Sequence, residues 1–170
     1  MDLPQMIRNI PDFPVKGILF RDITTLIKDP DAFQEAIDAL IDPYIDKDVD
    51  LVAAIESRGF IFGAPIAYEL GAGLAIIRKP GRLPAETISK SYTLEYGTNT
   101  LEMHKDTIEP GQKVLLVDDL IATGGSAKAA AELIESLGGE VVGIAFLIEL
   151  TDLNGVEKLR DYDVFSIIKY

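Results

Sequence analysis

One thirteen-residue stretch, Val114–Ser126 (VLLVDDLIATGGS), most constrains what this chain can fold into. Its first four residues are apolar and typical of a strand that is buried on both faces. Two adjacent carboxylates, Asp118 and Asp119, come next, and a loop of small residues then leads into a helical pattern. This order predicts a strand that delivers acidic groups to a ligand site at the start of a helix.

The loop of this stretch has the groups that bind a phosphate monoester. Gly124 and Gly125 let the backbone turn its N–H groups inward, Thr123 and Ser126 add hydroxyl donors, and the helix N-terminus adds positive potential. The preceding carboxylates can accept hydrogen bonds from ribose hydroxyls and favour positive charge on a sugar ring. We therefore predict a sugar phosphate ligand. The alternative is a solvated acidic turn followed by glycines that only end the strand.

Short apolar runs alternate with helix-length amphipathic segments along the rest of the chain. The first helix is expected to begin with Asp29 as its N-cap and Pro30 at its first position, and to end before Pro43. Its predicted apolar face is Phe33, Ile37, Leu40 and Ile41. Further helices are predicted from the 56–60 loop to about residue 70 and over residues 126–137, and strands over residues 51–55, 74–77, 114–117, 141–148 and 163–168.

This alternation predicts an α/β fold with a mainly parallel five-stranded sheet and helices on both faces. Ligands of such sheets bind beyond the C-terminal ends of the strands. The segment 87–107 interrupts the pattern with polar and tyrosine residues around Gly97, Thr98 and Asn99. We interpret it as a flexible hairpin lid, and the alternative is an edge hairpin with a structural or dimer role.

Composition excludes several classes of function. The 170 residues contain no cysteine, so thiol chemistry and cysteine metal sites are absent. A formal net charge of −12 opposes binding to a nucleic-acid backbone, so no nucleic-acid partner is expected. The N-terminus lacks a signal-peptide pattern and no stretch is apolar for the roughly 20 residues that span a bilayer. We expect one soluble, cytoplasmic domain over residues 1–170 without a membrane partner.

The stretch Val114–Ser126 resembles the motif with which type I phosphoribosyltransferases bind phosphoribosyl diphosphate (PRPP). Four further segments narrow the resemblance to the adenine phosphoribosyltransferase family. In chain order they are FRDITTL (20–26), ESRGF (56–60), RKPGRLP (78–84) and LEYG (94–97) with Leu101 and Glu102. The resemblance covers about residues 10–165. It implies the family's fold, with a small N-terminal hood at residues 1–28 that binds the base and a catalytic hairpin at residues 87–107.

The resemblance assigns the PRPP site residue by residue. Ala122, Thr123, Gly124, Gly125 and Ser126 would hold the 5′-phosphate, while Asp118 and Asp119 face the ribose as catalytic residues. Ser57, Arg58 and Gly59 would line the diphosphate site, and Arg78, Lys79 and Arg82 would bring three cations near it. Chemistry supports Arg58 independently, since a guanidinium after a buried strand can bind phosphate oxygens at two points. The alternatives are a surface role for Arg58 and simple solvation for Lys79.

The resemblance also implies which residues meet the base. Phe20 would pack on adenine while the Arg21 backbone reads its edge, and the alternative is that Phe20 belongs only to the core. Glu102 is the candidate for handling the purine proton and Tyr96 for closing the lid. Ser126 replaces a common Thr and Arg82 a common Lys, and both changes preserve the chemistry.

The activity that the resemblance implies is transfer of the phosphoribosyl group from PRPP to adenine, giving AMP and diphosphate in purine salvage. Mg²⁺ is the expected cofactor, held mainly by PRPP and without an assigned protein ligand. A homodimer is expected. Two alternatives remain: transfer to a different base such as xanthine, and a noncatalytic PRPP-sensing regulator. The regulator would carry a DNA-binding domain, for which this acidic chain has no room.

Overall fold

Residues 1–39 form one compact unit of the chain and residues 40–170 form a second. The computed structural model describes residues 1–94 and 96–170. In the first unit, a short 3₁₀ turn at Leu3–Met6 precedes an antiparallel pair of strands, β1 (Arg8–Ile10) and β2 (Phe20–Asp22). Helix α1 (Thr24–Ile27) follows directly. The predicted hood, residues 1–28, falls within this unit, and its boundary and base-binding role remain predictions.

Helix α2 (Pro30–Ile41) begins and ends as the sequence predicts. The Asp29 carboxylate accepts a hydrogen bond from the Ala32 N–H at 2.9 Å, which satisfies an N–H that the first turn would leave without a partner. Pro43 lies in the 3₁₀ turn Asp42–Tyr44 that follows the helix. The buried residues of α2 are Ala32, Ala36, Ile37, Leu40 and Ile41, whereas Phe33 is only half-buried.

Asp22, at the end of β2, is the main polar anchor of the first unit. Its carboxylate accepts hydrogen bonds from the Thr24 N–H at 2.9 Å and the Thr24 hydroxyl at 2.7 Å. Arg8, on the paired strand, donates from Nε at 2.9 Å and Nη2 at 2.5 Å. The two Thr24 bonds and then the Arg8 bonds lower the pKa of Asp22 from 3.8 to about 2. The anchor is therefore charged at neutral pH.

The Asp22→Asn substitution is expected to lower the free energy of unfolding by about 1–2 kcal/mol near pH 7, because charge-assisted hydrogen bonds are lost. The wild-type pKa is depressed, so the stabilisation is full above the unfolded-state pKa near 4 and is lost as pH falls through 2. Urea unfolding of the wild-type and Asp22→Asn proteins at several pH values measures this difference in the free energy of unfolding. A wild-type to mutant difference that stays constant down to pH 2 would contradict this role.

The second unit contains the predicted sheet and is built from alternating strands and helices. Its elements in chain order are β3 (Leu51–Ile55), α3 (Arg58–Leu70), β4 (Gly73–Ile77), β5 (Thr87–Leu94), β6 (Gly97–His104), β7 (Lys113–Ile121), α4 (Gly125–Ser136), β8 (Glu140–Glu149) and β9 (Val164–Lys169). The parallel sheet has the strand order β4-β3-β7-β8-β9, which confirms the five-stranded prediction.

Helices cover both faces of this sheet. Helix α3 approaches one face so closely that a Cβ added to Gly63 would lie 2.6 Å from the Cβ of Ala54. Ala53 and Ile55, the neighbours of Ala54 along β3, point to the opposite face and belong to a buried cluster that includes Ala130 and Leu133 of α4. Both faces of the strand are therefore buried, which explains its continuous apolar sequence.

One strand is longer than the sequence predicts, and the predicted hairpin is present. Strand β7 continues to Ile121 instead of ending at Val117, because it pairs with β8 as far as Ile121 and Glu149. Asp118 and Asp119 are therefore strand residues and not the beginning of the loop. Strands β5 and β6 pair antiparallel from Thr87 and His104 to Leu94 and Gly97, which is the expected hairpin. Glu95, part of the LEYG segment, lies outside the described residues.

Candidate active site

A cavity of about 360 Å³ lies at the C-terminal ends of the parallel strands in the second unit. Because β3 and β7 are parallel neighbours, the segments that follow them leave the sheet at the same edge. The cavity brings together many of the residues that the sequence nominated: Ser57, Arg58, Lys79, Asp118, Asp119, Ala122, Thr123, Gly124 and Ser126.

The carboxylate pair of β7 forms one wall of this cavity. Asp119 is buried and its Oδ2 accepts a hydrogen bond from Arg58 Nε at 2.6 Å, while Arg58 itself is half-exposed. Asp118 Oδ1 accepts the backbone N–H of Asp119 at 2.8 Å. Burial first, and then the charge of Asp119, raise the pKa of Asp118 well above its usual value. One guanidinium thus faces two carboxyl groups, and a further positive charge beside them would favour the ionised form of Asp118.

The loop after β7 has the backbone geometry of an anion cradle. Gly124 has a φ of 87°, a left-handed conformation that costs other residues energy, and α4 begins at the next residue. A Cβ at Gly124 would overlap the backbone carbonyl of Gly155, and a Cβ at Gly155 would overlap the carbonyl of Ala122. The loop is therefore packed directly on the backbone of Gly155. Sequence analysis missed Gly155, although the pair Asn154 and Gly155 is a recognisable turn signal.

Two other contacts depend on glycine at the cavity. A Cβ on Gly59, in the first turn of α3, would lie 2.9 Å from Asp118 Oδ1, so glycine allows this turn to approach the carboxylate. A Cβ on Gly125 would lie 2.9 Å from the ring of Tyr92. Tyr92 belongs to the hairpin strand β5 and lines the cavity, and the sequence analysis gave it no role beyond the hairpin. The hairpin therefore reaches the start of α4.

Glu56, the residue after β3, was also missed as a site residue although it lies in the ESRGF segment. Its Oε1 accepts hydrogen bonds from the Lys79 N–H at 2.8 Å and from Arg78 Nε at 3.1 Å. Burial alone would raise the pKa of Glu56, but the Lys79 bond, the Arg78 bond and the charges of Arg78 and Arg82 outweigh it and lower the pKa. Glu56 is therefore an ionised partner of the cationic segment.

Comparisons with known proteins agree with this geometry. The phosphoribosyl transferase domain family matches the chain over residues 24–170. An adenine phosphoribosyltransferase of Halothermothrix orenii is 59% identical over 169 residues, covering 99% of each chain. This chain belongs to the adenine phosphoribosyltransferase family. The crystal structure of a family member from Thermoanaerobacter pseudethanolicus is 56% identical with a TM-score of 0.96, covering 99% of this chain and 98% of that one.

The chain is also similar to a more distantly related solved structure. The adenine phosphoribosyltransferase of Saccharomyces cerevisiae, crystallised with an imino-altritol bisphosphate and adenine, is 40% identical with a TM-score of 0.92. The matched regions cover 97% of this chain and 96% of the yeast chain. The type I phosphoribosyltransferase fold that the sequence predicted is thus confirmed.

Within the described part of residues 40–170, six residues that the family resemblance assigns to the site do not line this cavity. They are Gly59, Arg78, Arg82, Tyr96, Glu102 and Gly125. Gly59 and Gly125 contribute to the site indirectly, because they allow Asp118 and Tyr92 to approach them closely. The side chain of Tyr96 is exposed at the hairpin turn, so its expected role in closing the lid remains a prediction.

Glu102, the candidate for handling the purine proton, is bonded to neighbouring residues in the free protein. Its Oε1 accepts the Gly81 N–H at 2.8 Å and its Oε2 accepts the Thr87 hydroxyl at 3.3 Å. Both carboxylate oxygens thus bind neighbouring protein groups, and the residue does not line the cavity. Its expected role in handling the purine proton remains a prediction.

The predicted base-binding residues lie on β2 in the first unit. Phe20 is half-buried, and its ring packs edge-to-face on Phe13 with centroids 5.1 Å apart. The Arg21 guanidinium donates to Asn9 Oδ1 at 2.7 Å. The side chain of Arg21 therefore has a partner within its own unit, consistent with the expectation that its backbone, and not its side chain, reads the base. Contact between these residues and adenine remains a prediction.

Among residues 1–94 and 96–170, no group of three or more Asp, Glu or His side chains is arranged to hold a metal ion. Over the same residues, the structure has no helix with the length and apolar character needed to cross a bilayer.

Proposed function

We propose that this protein catalyses transfer of the phosphoribosyl group of PRPP to adenine, giving AMP and diphosphate in purine salvage. The observation that carries the proposal is the cavity in which Asp118 and Asp119 meet the loop Ala122–Ser126 at the ends of the parallel strands. Full-length similarity to adenine phosphoribosyltransferases supports adenine as the base.

The phosphate and ribose of PRPP are proposed to bind at the end of β7. Residues Ala122–Ser126 would surround the 5′-phosphate with backbone N–H groups and the hydroxyls of Thr123 and Ser126. Asp118 and Asp119 would accept hydrogen bonds from the ribose hydroxyls. As the bond from the anomeric carbon to diphosphate breaks, the same carboxylates would stabilise the positive charge that develops on the ring.

The diphosphate is proposed to bind between the ends of β3 and β4. Ser57 and Lys79 line the cavity there and can donate to phosphate oxygens. Arg58 is half-exposed while its Nε binds Asp119, so the remaining guanidinium nitrogens could serve the diphosphate. Arg78 and Arg82 would contribute positive potential to the same region.

The chemical step is a displacement at the anomeric carbon. Adenine N9 forms the new bond to this carbon, the bond to the diphosphate oxygen breaks, and diphosphate leaves with the bonding electrons. The proton on N9 is transferred to an oxygen of the departing diphosphate. Closing the 87–107 hairpin, with Tyr96 at its turn, would exclude water that could otherwise hydrolyse PRPP.

Adenine itself is proposed to lie against Phe20, with the Arg21 backbone N–H and carbonyl pairing with its edge. A base that carries an oxo group in place of the amino group would leave this donor and acceptor pair unmatched. Full-length similarity to the yeast enzyme, which was crystallised with adenine, supports this assignment.

Mg²⁺ is proposed as the cofactor, held mainly by diphosphate and ribose oxygens. Hard oxygen donors suit this ion, and Asp118 and Asp119 supply such donors at the cavity wall. When bound, Mg²⁺ would neutralise charge on the leaving diphosphate. We further propose that the protein is a cytoplasmic homodimer without nucleic-acid or membrane partners, as the family resemblance and the net charge of −12 suggest.

Diphosphate release in the presence of PRPP and Mg²⁺ tests the proposal when adenine, hypoxanthine, guanine, xanthine and orotate are compared. Turnover with adenine is expected to exceed turnover with each other base by at least about 100-fold in kcat/KM, because mismatched bases leave polar groups unpaired. Turnover with another base would contradict the adenine assignment. Binding of PRPP without turnover of any base would favour a regulatory protein.

A further inference from the structure

Two glutamates bind the cationic segment Arg78–Arg82 at different residues. Glu56, at the end of β3, accepts the Lys79 N–H at 2.8 Å and Arg78 Nε at 3.1 Å. Glu102, on hairpin strand β6, accepts the Gly81 N–H at 2.8 Å. The backbones of Arg78 and Glu102 also pair, with N···O distances of 3.0 and 2.7 Å in the two directions. The segment is therefore fixed through its backbone as well as through a side chain.

These contacts leave Lys79 available to a ligand. Its backbone N–H is bound by Glu56, and the residue lines the cavity that Ser57 and Asp118 also line. A second cavity of about 430 Å³ is lined by Glu56 and Lys79 as well, together with hairpin residues. A loop that carries three cations within five residues repels itself, and Gly81 has a φ of 80°, so without the glutamates its backbone would have several accessible conformations.

We propose that Glu56 and Glu102 are positioning residues that clamp the segment 78–82 and so present Lys79 to the diphosphate of PRPP. Neither glutamate acts on the reacting atoms. Glu102 is part of the hairpin, so its bond to Gly81 also joins the segment 78–82 to the hairpin. This inference rests on the proposed function for its ligand, but the clamp itself is a property of the free protein.

Amide hydrogen exchange measures the clamp without any substrate. In the wild-type protein the Lys79 and Gly81 amides are expected to exchange at least about 10-fold more slowly than unbonded loop amides. Glu56→Ala should accelerate exchange at Lys79, and Glu102→Ala should accelerate it at Gly81. Exchange at the unbonded rate in the wild-type protein, or no acceleration in these variants, would overturn the proposal even if the protein had no transferase activity.

Kinetics of the isosteric and truncated variants test the functional part. Glu56→Gln and Glu102→Gln each keep an oxygen acceptor, so kcat should stay within about threefold of wild type and KM for PRPP should rise only slightly. The two Ala variants should raise KM for PRPP about 10-fold, with a much smaller change in kcat. A large loss of kcat in Glu102→Gln would mean direct proton handling and would overturn the positioning role of Glu102.

Glu86→Ala provides the matched control. Glu86 lies in the same region and accepts Lys105 Nζ at 2.9 Å, but it is exposed and contacts none of the clamp amides. Its replacement should leave both the amide exchange at Lys79 and Gly81 and the KM for PRPP unchanged. If Glu86→Ala reproduces the effects of Glu56→Ala, they reflect general loss of charge and the proposed clamp is wrong. The Gln variants retain shape and polarity, so they remain informative if an Ala variant folds poorly.

Discussion

Replacing Asp118 and Asp119 together by Asn is expected to lower kcat/KM for PRPP at least about 100-fold. The substitutions keep the shape of both side chains and one oxygen acceptor on each, but they remove the ability of either residue to carry a negative charge at the cavity wall. Arg58, which donates from Nε to Asp119 at 2.6 Å, would then be the dominant charge beside the ribose. Positive charge developing on the ribose ring would be destabilised by it, so kcat should fall more than the affinity for PRPP.

Initial rates with adenine and PRPP measure this effect, and circular dichroism checks that the variant is folded. Asp50→Asn is a suitable control. Asp50 precedes β3 at the opposite end of the sheet, where its carboxylate accepts the Lys113 N–H at 2.8 Å. This variant should have nearly wild-type kinetics. If the Asp118 and Asp119 double variant retained full activity, the proposed ribose site would be refuted.

Replacing Gly124 by Ala is expected to remove phosphate binding and to destabilise the fold. The left-handed φ of 87° costs about 1 kcal/mol for Ala, and the new Cβ would overlap the Gly155 carbonyl, which adds about 1–3 kcal/mol of steric strain. Either the loop or the 155 backbone must move. The backbone N–H groups that we propose to bind the 5′-phosphate would be displaced, so the affinity for AMP should fall more than about 10-fold.

The Gly71→Ala substitution is the control, because it introduces backbone strain without steric overlap. Gly71 ends helix α3 with a φ of 67°, and a Cβ there would have no neighbour within 4 Å. This variant should lose only about 1 kcal/mol of unfolding free energy and should bind AMP normally. Thermal unfolding and calorimetric titration with AMP compare the two substitutions. Equal behaviour of Gly124→Ala and Gly71→Ala would show that contact with Gly155 is unimportant.

Local patterns were sufficient to predict most secondary structure. The apolar run Leu51–Ile55 is a strand with both faces covered, and the Asp29 cap and Pro30 begin α2 as expected. Helix α4 ends at Ser136, one residue before its predicted end. The end of β7 was the main error, because Asp118 and Asp119 are polar residues that would ordinarily end a strand. Pairing with β8 extends β7 beyond them, and the sequence of β7 alone contains no information about that partner.

The sequence by itself determined the alternation of strands and helices, the phosphate loop after β7 and the resemblance to the adenine phosphoribosyltransferases. These features depend on residues that are near one another along the chain. Only the tertiary structure decided which groups meet: Arg58 with Asp119, Glu56 with Lys79, and Gly124 with Gly155. Such pairs are formed by strands and loops that are distant in sequence, and residue spacing carries no signal of their contact. For the same reason only the structure could show that the Glu102 carboxylate accepts the Gly81 N–H.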